Sequence, residues 1–172
     1  MTPTRTALVL AMLTFVASTV LAQKITTESA PGMDVRSYKT FMWIKQPNVS
    51  DPILKQRIVD DVNAQLTAKG YRLVVDGADL GVAAHLATRN EKTLNTFYDG
   101  FGGGWRWGGG FGSSTTTVNS YQDGTLVVDL FDCMTKQAIW RGSAEQELSS
   151  DPQKETSNMA KAIEKMFKKF PA

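Results

Sequence analysis

The chain has 172 residues, with 19 Lys and Arg against 17 Asp and Glu, one histidine and a single cysteine, Cys133. That near-balance of charge leaves no global excess to steer nucleic acid, so no nucleic-acid partner is expected. A lone cysteine excludes an intramolecular disulfide, and the core has to hold the fold unaided.

Arg5 supplies a positive start, Ala7 to Ala17 is apolar except for Thr14, and Val20-Leu21-Ala22 places small residues ahead of Gln23. This is the layout of a secretory signal peptide over residues 1–22, with cleavage expected between Ala22 and Gln23. The apolar run is about half the roughly 20 residues that a membrane-spanning helix needs. Gln23 stands where a lipoprotein would carry its acylated cysteine, so the mature chain is expected to be soluble, periplasmic or secreted. An exported chain works away from ATP and most soluble cofactors, which removes kinase, dehydrogenase and gene-regulatory readings and leaves no cofactor expected. Residues 23–172 number 150, a size at which one compact domain buries roughly 70% of the surface its unfolded chain exposes.

Residues 23–40 read as polar and irregular, and Tyr38 to Ile44 as a first strand rich in aromatic residues. Asp51-Pro52 then combines a capping side chain with a ring-locked first helical residue. Leu54, Ile58, Val59, Val62 and Leu66 recur at three- and four-residue spacing until Gly70, which predicts an amphipathic helix over 52–69. Tyr71 to Val75 is a short strand candidate. Leu80 to Leu86 alternates with period two, as do Leu126, Val128 and Leu130. Between them, Thr115 to Val118 is expected to enter a hairpin that turns at Gln122-Asp123-Gly124. A last strand is predicted from Ala138 to about Leu148. Asp151-Pro152 repeats the helix start, and Met159, Ile163, Met166, Phe167 and Phe170 line one face up to Pro171, predicting a helix over 152–170. Strands in series joined by short turns pair antiparallel. The expected fold is therefore α+β, a single antiparallel sheet of four to six strands with two helices packed on one face. Phe41 and Trp140 are expected in the core.

The segment 100–112 stands apart, because eight of its residues are glycines and the rest are Phe101, Trp105, Arg106, Trp107 and Phe111. Glycine at that density costs too much backbone entropy to hold a regular element, so the segment reads as a loop at a hairpin tip. Exposed aromatics mark contact surfaces, and these five residues are the candidate binding loop.

Read in order, the elements resemble the bacterial envelope family catalogued as domain of unknown function 4136. The resemblance is carried by Tyr38-Lys39-Thr40-Phe41, Ala68-Lys69-Gly70-Tyr71, Ala78-Asp79-Leu80 with His85, the Gly/Trp loop, Gly124 to Leu130, Trp140-Arg141-Gly142 and the Pro-capped last helix. It implies a fold and an envelope location, and it carries no catalytic residue over to this chain.

No catalytic or metal constellation emerges from the remaining polar residues. His85 lies among alternating apolar residues and reads as structural, and Ser149-Ser150-Asp151 reads as helix capping outside any Gly-x-Ser-x-Gly elbow. Asp129 and Asp132 have no fixed separation, and Cys133 has no cationic neighbour before Lys136. The function expected is a non-enzymatic binding or assembly module acting on an unidentified envelope component, be it protein, glycan or membrane surface. A membrane-surface protein using Trp105 and Trp107 as a wedge is the alternative, and an unrecognised hydrolase gathering His85, Asp129 or Asp132 with Arg141 stands third.

Overall fold

The computed structural model describes residues 23–88, 124–146 and 149–171. Among these residues six strands form one sheet: β1 (Lys24–Ser29), β2 (Thr40–Lys45), β3 (Arg72–Leu73), β4 (Leu80–Thr88), β5 (Gly124–Asp132) and β6 (Ala138–Gln146). The described residues also hold two α-helices, α1 (Pro52–Ala68) and α2 (Pro152–Lys168). Their bounds fall within two residues of the expected ones.

The spatial order is β1-β6-β5-β4-β2-β3. β1, β6, β5 and β4 pair antiparallel, whereas β2 runs parallel to both β4 and β3. The sheet is thus mixed, which corrects the all-antiparallel expectation. The cause is α1: its 17 residues, about 25 Å of helix, carry the chain back past the start of β2, so the strands after it begin at the same end. A second correction concerns residues 24–29, expected to be irregular. They form β1, an edge strand with Ile25 as its sole large apolar residue. A third concerns β5, which is flanked by β4 and β6 along its whole length. Gly124 is its first paired residue, opposite Thr88. Both sides of β5 are thus taken by β4 and β6, not by a strand from Thr115–Val118; that segment and residues 122–123 of the expected turn lie outside the described residues.

Local chemistry explains the helices. Asp51 accepts from the Ile53 and Leu54 amides and Asp151 from those of Gln153 and Lys154, each ahead of a proline at the first turn. After α1, Gly70 adopts φ 93° and the Tyr71 amide reaches the Leu66 carbonyl at 3.1 Å. That closes a Schellman motif, in which glycine takes the left-handed position without strain.

α1 and α2 pack on each other and on the sheet. Ile58, Val62 and Leu66 of α1 meet Met159, Ile163 and Phe167 of α2, all fully buried, over Leu80, Val82, Leu126, Leu130 and Trp140. Phe41 and Trp140 are fully buried, as expected. Trp140 packs on Phe167 and Phe170, each with ring centroids 5.2 Å away. The alternate residues of the same strands, among them Ala83, His85, Val127, Asp129, Phe131 and Arg141, are also buried.

Candidate functional site

The candidate loop residues Phe101, Trp105, Arg106, Trp107 and Phe111 lie outside the described residues. The structure does give their mount. β4 and β5 pair over nine residues each, from Leu80 opposite Asp132 to Thr88 opposite Gly124, so residues 89–123 leave and rejoin the sheet at directly opposed positions.

His85, Asp129 and Arg141 share the sheet face away from the helices, as their alternation with core residues requires. Arg141 grips Asp129 with two bonds, Nε to Oδ1 at 2.6 Å and Nη2 to Oδ2 at 3.0 Å. This fork between adjacent strands satisfies both carboxylate oxygens of a group that is 1% exposed. Burial raises the Asp129 pKa, and the Arg141 charge and hydrogen bonds oppose it. Glu28 of β1 lies opposite Arg141 in the register and extends this row of charges across the sheet.

Asp132 belongs to a different place. Three residues on from Asp129, it sits at the start of the β5–β6 turn, where Oδ1 accepts from the Met134 and Thr135 amides at 2.7 and 2.8 Å. Its Oδ2 accepts from the Tyr38 hydroxyl at 2.9 Å. Partial burial raises the Asp132 pKa, but the Thr135 amide, the Tyr38 hydroxyl and the Met134 amide outweigh it and hold the carboxyl below its ordinary value. Tyr38 is pushed up to about 12 by burial and by that same bond. Close by, Asp79 Oδ2 accepts from the Lys39 and Thr40 amides and the Thr40 hydroxyl at 2.8 to 2.9 Å, which lowers its pKa. The Cys133 amide donates to the Asp79 carbonyl at 2.9 Å. Burial, then the Asp132 and Asp79 charges, push the Cys133 thiol up to about 11. Asp79 and Asp132 thereby clamp the start of β2 to the two turns beside it. Sequence reasoning missed this clamp, since its partners are 39 and 94 residues apart along the chain.

The Ser149-Ser150-Asp151 cluster caps α2: Asp151 receives the helix amides, and Ser149 Oγ accepts from the Asp151 amide at 3.2 Å. A cavity of about 250 Å³ opens between the starts of α1 and α2, lined mainly by apolar surface of Leu54, Leu86 and Pro152 with Asp51, Ser149 and Glu155. Among the described residues no group of three or more His, Cys, Asp or Glu side chains is placed to hold a metal ion. Among the same residues no helix is long and apolar enough to cross a membrane.

A family model described as a domain of unknown function (DUF4136) matches residues 25–172. The fold is similar to that of a DUF4136 family protein from Bacteroides thetaiotaomicron, with TM-score 0.65, 13% identity, 85% of this chain covered and 94% of that one. It is also similar to a PDZ domain protein from Parabacteroides distasonis, with TM-score 0.54, 15% identity, 87% of this chain covered and 36% of that one. A third likeness is to the PelC dodecamer from Paraburkholderia phytofirmans, with TM-score 0.50, 13% identity, 84% of this chain covered and 94% of that one. No curated protein sequence matches the chain.

Proposed function

The chain belongs to the DUF4136 family, whose description assigns no role, and we propose that it is an exported, non-enzymatic binding or assembly module of the bacterial cell envelope. One observation carries the reading. Thr88 and Gly124 are directly opposed at the end of the β4–β5 ladder, where a two-residue turn suffices to join two strands, yet the chain inserts residues 89–123 there. Contact residues are carried by loops that a rigid scaffold holds. Phe101, Trp105, Trp107 and Phe111 bring flat aromatic faces, and Arg106 a guanidinium, which suit a sugar ring, a headgroup region or an apolar groove.

The non-enzymatic part is supported by how the acidic candidates are used. Asp79, Asp132 and Asp151 fix backbone amides, and Asp129 is held by Arg141 through both oxygens. Export is supported by the Arg5, apolar-run and Val20-Leu21-Ala22 pattern. Assembly could include copies of the chain itself, since a fold neighbour is a dodecamer.

The test replaces the four aromatics of the loop by serine. Crosslinking in cells should then recover no envelope partner, while the melting temperature stays close to wild type. Sedimentation with lipid vesicles distinguishes a membrane surface from a protein or glycan partner. A large fall in melting temperature with the envelope contacts intact overturns the reading and makes the loop structural.

A further inference from the structure

Gln23 directly precedes β1, and both ends of its carboxamide are tied into the fold. Nε2 donates to Gln146 Oε1 at 2.7 Å and to the Asn158 carbonyl at 2.9 Å, and Oε1 accepts from Lys165 Nζ at 3.0 Å. The receiving groups are themselves fixed. Gln146, buried on β6, donates from Nε2 to Glu155 Oε1 at 3.2 Å, and Glu155 Oε2 accepts from the Ser149 amide at 2.6 Å. The next residues continue the attachment, with Lys24 pairing Glu145 at 3.3 Å and Lys169 Nζ donating to the Ile25 carbonyl at 3.0 Å.

These contacts have a chemical consequence at a glutamine that becomes N-terminal. Its free α-amine attacks Cδ of its own carboxamide, a new C–N bond forms, and the Cδ–Nε2 bond breaks. One amine proton passes to the leaving nitrogen, which departs as ammonia, and the residue is left as an uncharged five-membered lactam. No oxidant or second substrate takes part. Closure needs Cδ to fold back over the residue's own backbone nitrogen, whereas here the side chain reaches outward to β6 and α2.

We propose that export makes Gln23 the N-terminal residue and that the fold keeps it open, with its carboxamide held on Gln146, Asn158 and Lys165 and so withheld from the α-amine. This rests on the export reading above. The held glutamine also fastens the edge of the sheet. Closure would delete Nε2, the donor that joins the start of β1 to both β6 and α2. Three hydrogen bonds have to be released before attack, which slows closure by roughly tenfold to several hundredfold.

The experiment expresses the full chain with residues 1–22 and follows the purified exported protein by intact mass and N-terminal peptide mapping at neutral pH. A synthetic peptide of residues 23–32 and the urea-unfolded protein serve as references. The expected result is a chain that begins at an open Gln23 and loses ammonia at least about tenfold more slowly than either reference. Lys165→Met, at an exposed position, should quicken the loss while leaving the melt unchanged. A chain that begins at Gln23 but is recovered closed, or closes at the peptide's rate, overturns the proposal and leaves export standing. A chain that begins elsewhere overturns export, and the proposal with it.

Discussion

Trp140 shows how one residue's neighbours set its role. It is fully buried, packs on Phe167 and Phe170, and projects over Gly142, two residues along the same strand face. A β-carbon added at Gly142 would lie 2.5 Å from the indole, well inside contact distance, so the glycine is there to let the ring lie down. Trp140→Ala should cost about 3–5 kcal/mol and Gly142→Ala about 1–3 kcal/mol through overpacking. Chemical denaturation curves check both, and an unchanged midpoint for Gly142→Ala would mean that the indole swings aside freely. Cys133 illustrates the opposite case, a residue type that suggests chemistry in a setting that suppresses it. Its thiol is raised from 9.0 to about 11 by burial and by the Asp132 and Asp79 charges. Alkylation near pH 8 should therefore run on the order of a hundredfold more slowly than for an unhindered thiol peptide, because the thiolate is the reactive form. Equal rates would show the turn to be open.

At the scale of elements, the helices were legible and the sheet was partly so. Asp-Pro starts, three- and four-residue apolar spacing, Gly70 and Pro171 are local signals, and local signals locate α1 and α2. β1 was hidden, because an edge strand beside a solvated margin needs little apolar alternation and Ile25 alone did not supply it. The direction of β2 was also hidden, since pairing direction depends on the route of α1 and not on the strand's own residues. The Asp79 and Asp132 clamp was illegible for a related reason: its hydrogen bonds join β2, the β3–β4 connection and the β5–β6 turn across long stretches of sequence. That clamp makes a prediction about acid. Both carboxyls have folded-state pKa values below their ordinary 3.8. Their stabilisation is therefore complete above about pH 4 and is lost as pH falls through the lowered folded-state values. Asp79→Ala should lower the melting temperature at neutral pH, and the gap to wild type should narrow near pH 3 and below. A gap that stays constant from neutral to acid would mean that the charge of Asp79 contributes nothing.

Across the whole molecule, the candidate site was legible as composition and its mount was not. The Gly/aromatic run stands out in the sequence, but that it is inserted between directly opposed residues of one ladder follows from the β4–β5 register alone. The same register orders stability across the sheet. β5 is hydrogen-bonded on both sides along its length, whereas β6 has β1 and β5 beside it from Trp140 to Glu145 and β4 has β2 and β5 beside it from Leu80 to Ala83. Among the described residues β1 has β6 as its one neighbour in the sheet, and β3 is a two-residue pairing on β2. Opening free energies rise from the edges inward, because a central strand cannot expose its amides until its neighbours detach. Native-state hydrogen exchange should therefore be slowest for Val127 to Leu130 of β5, intermediate for the doubly flanked stretches of β4 and β6, and fastest for Arg72–Leu73. β1 should exchange faster than β6 even though the two share a ladder, since half of its amides point away from β6. Protection in β1 equal to that in β5 would contradict this order and would mean that the β1 margin is covered, by a further part of the chain or by a second copy. Exchange measured over a range of protein concentrations separates those two cases, because protection by a second copy fades on dilution.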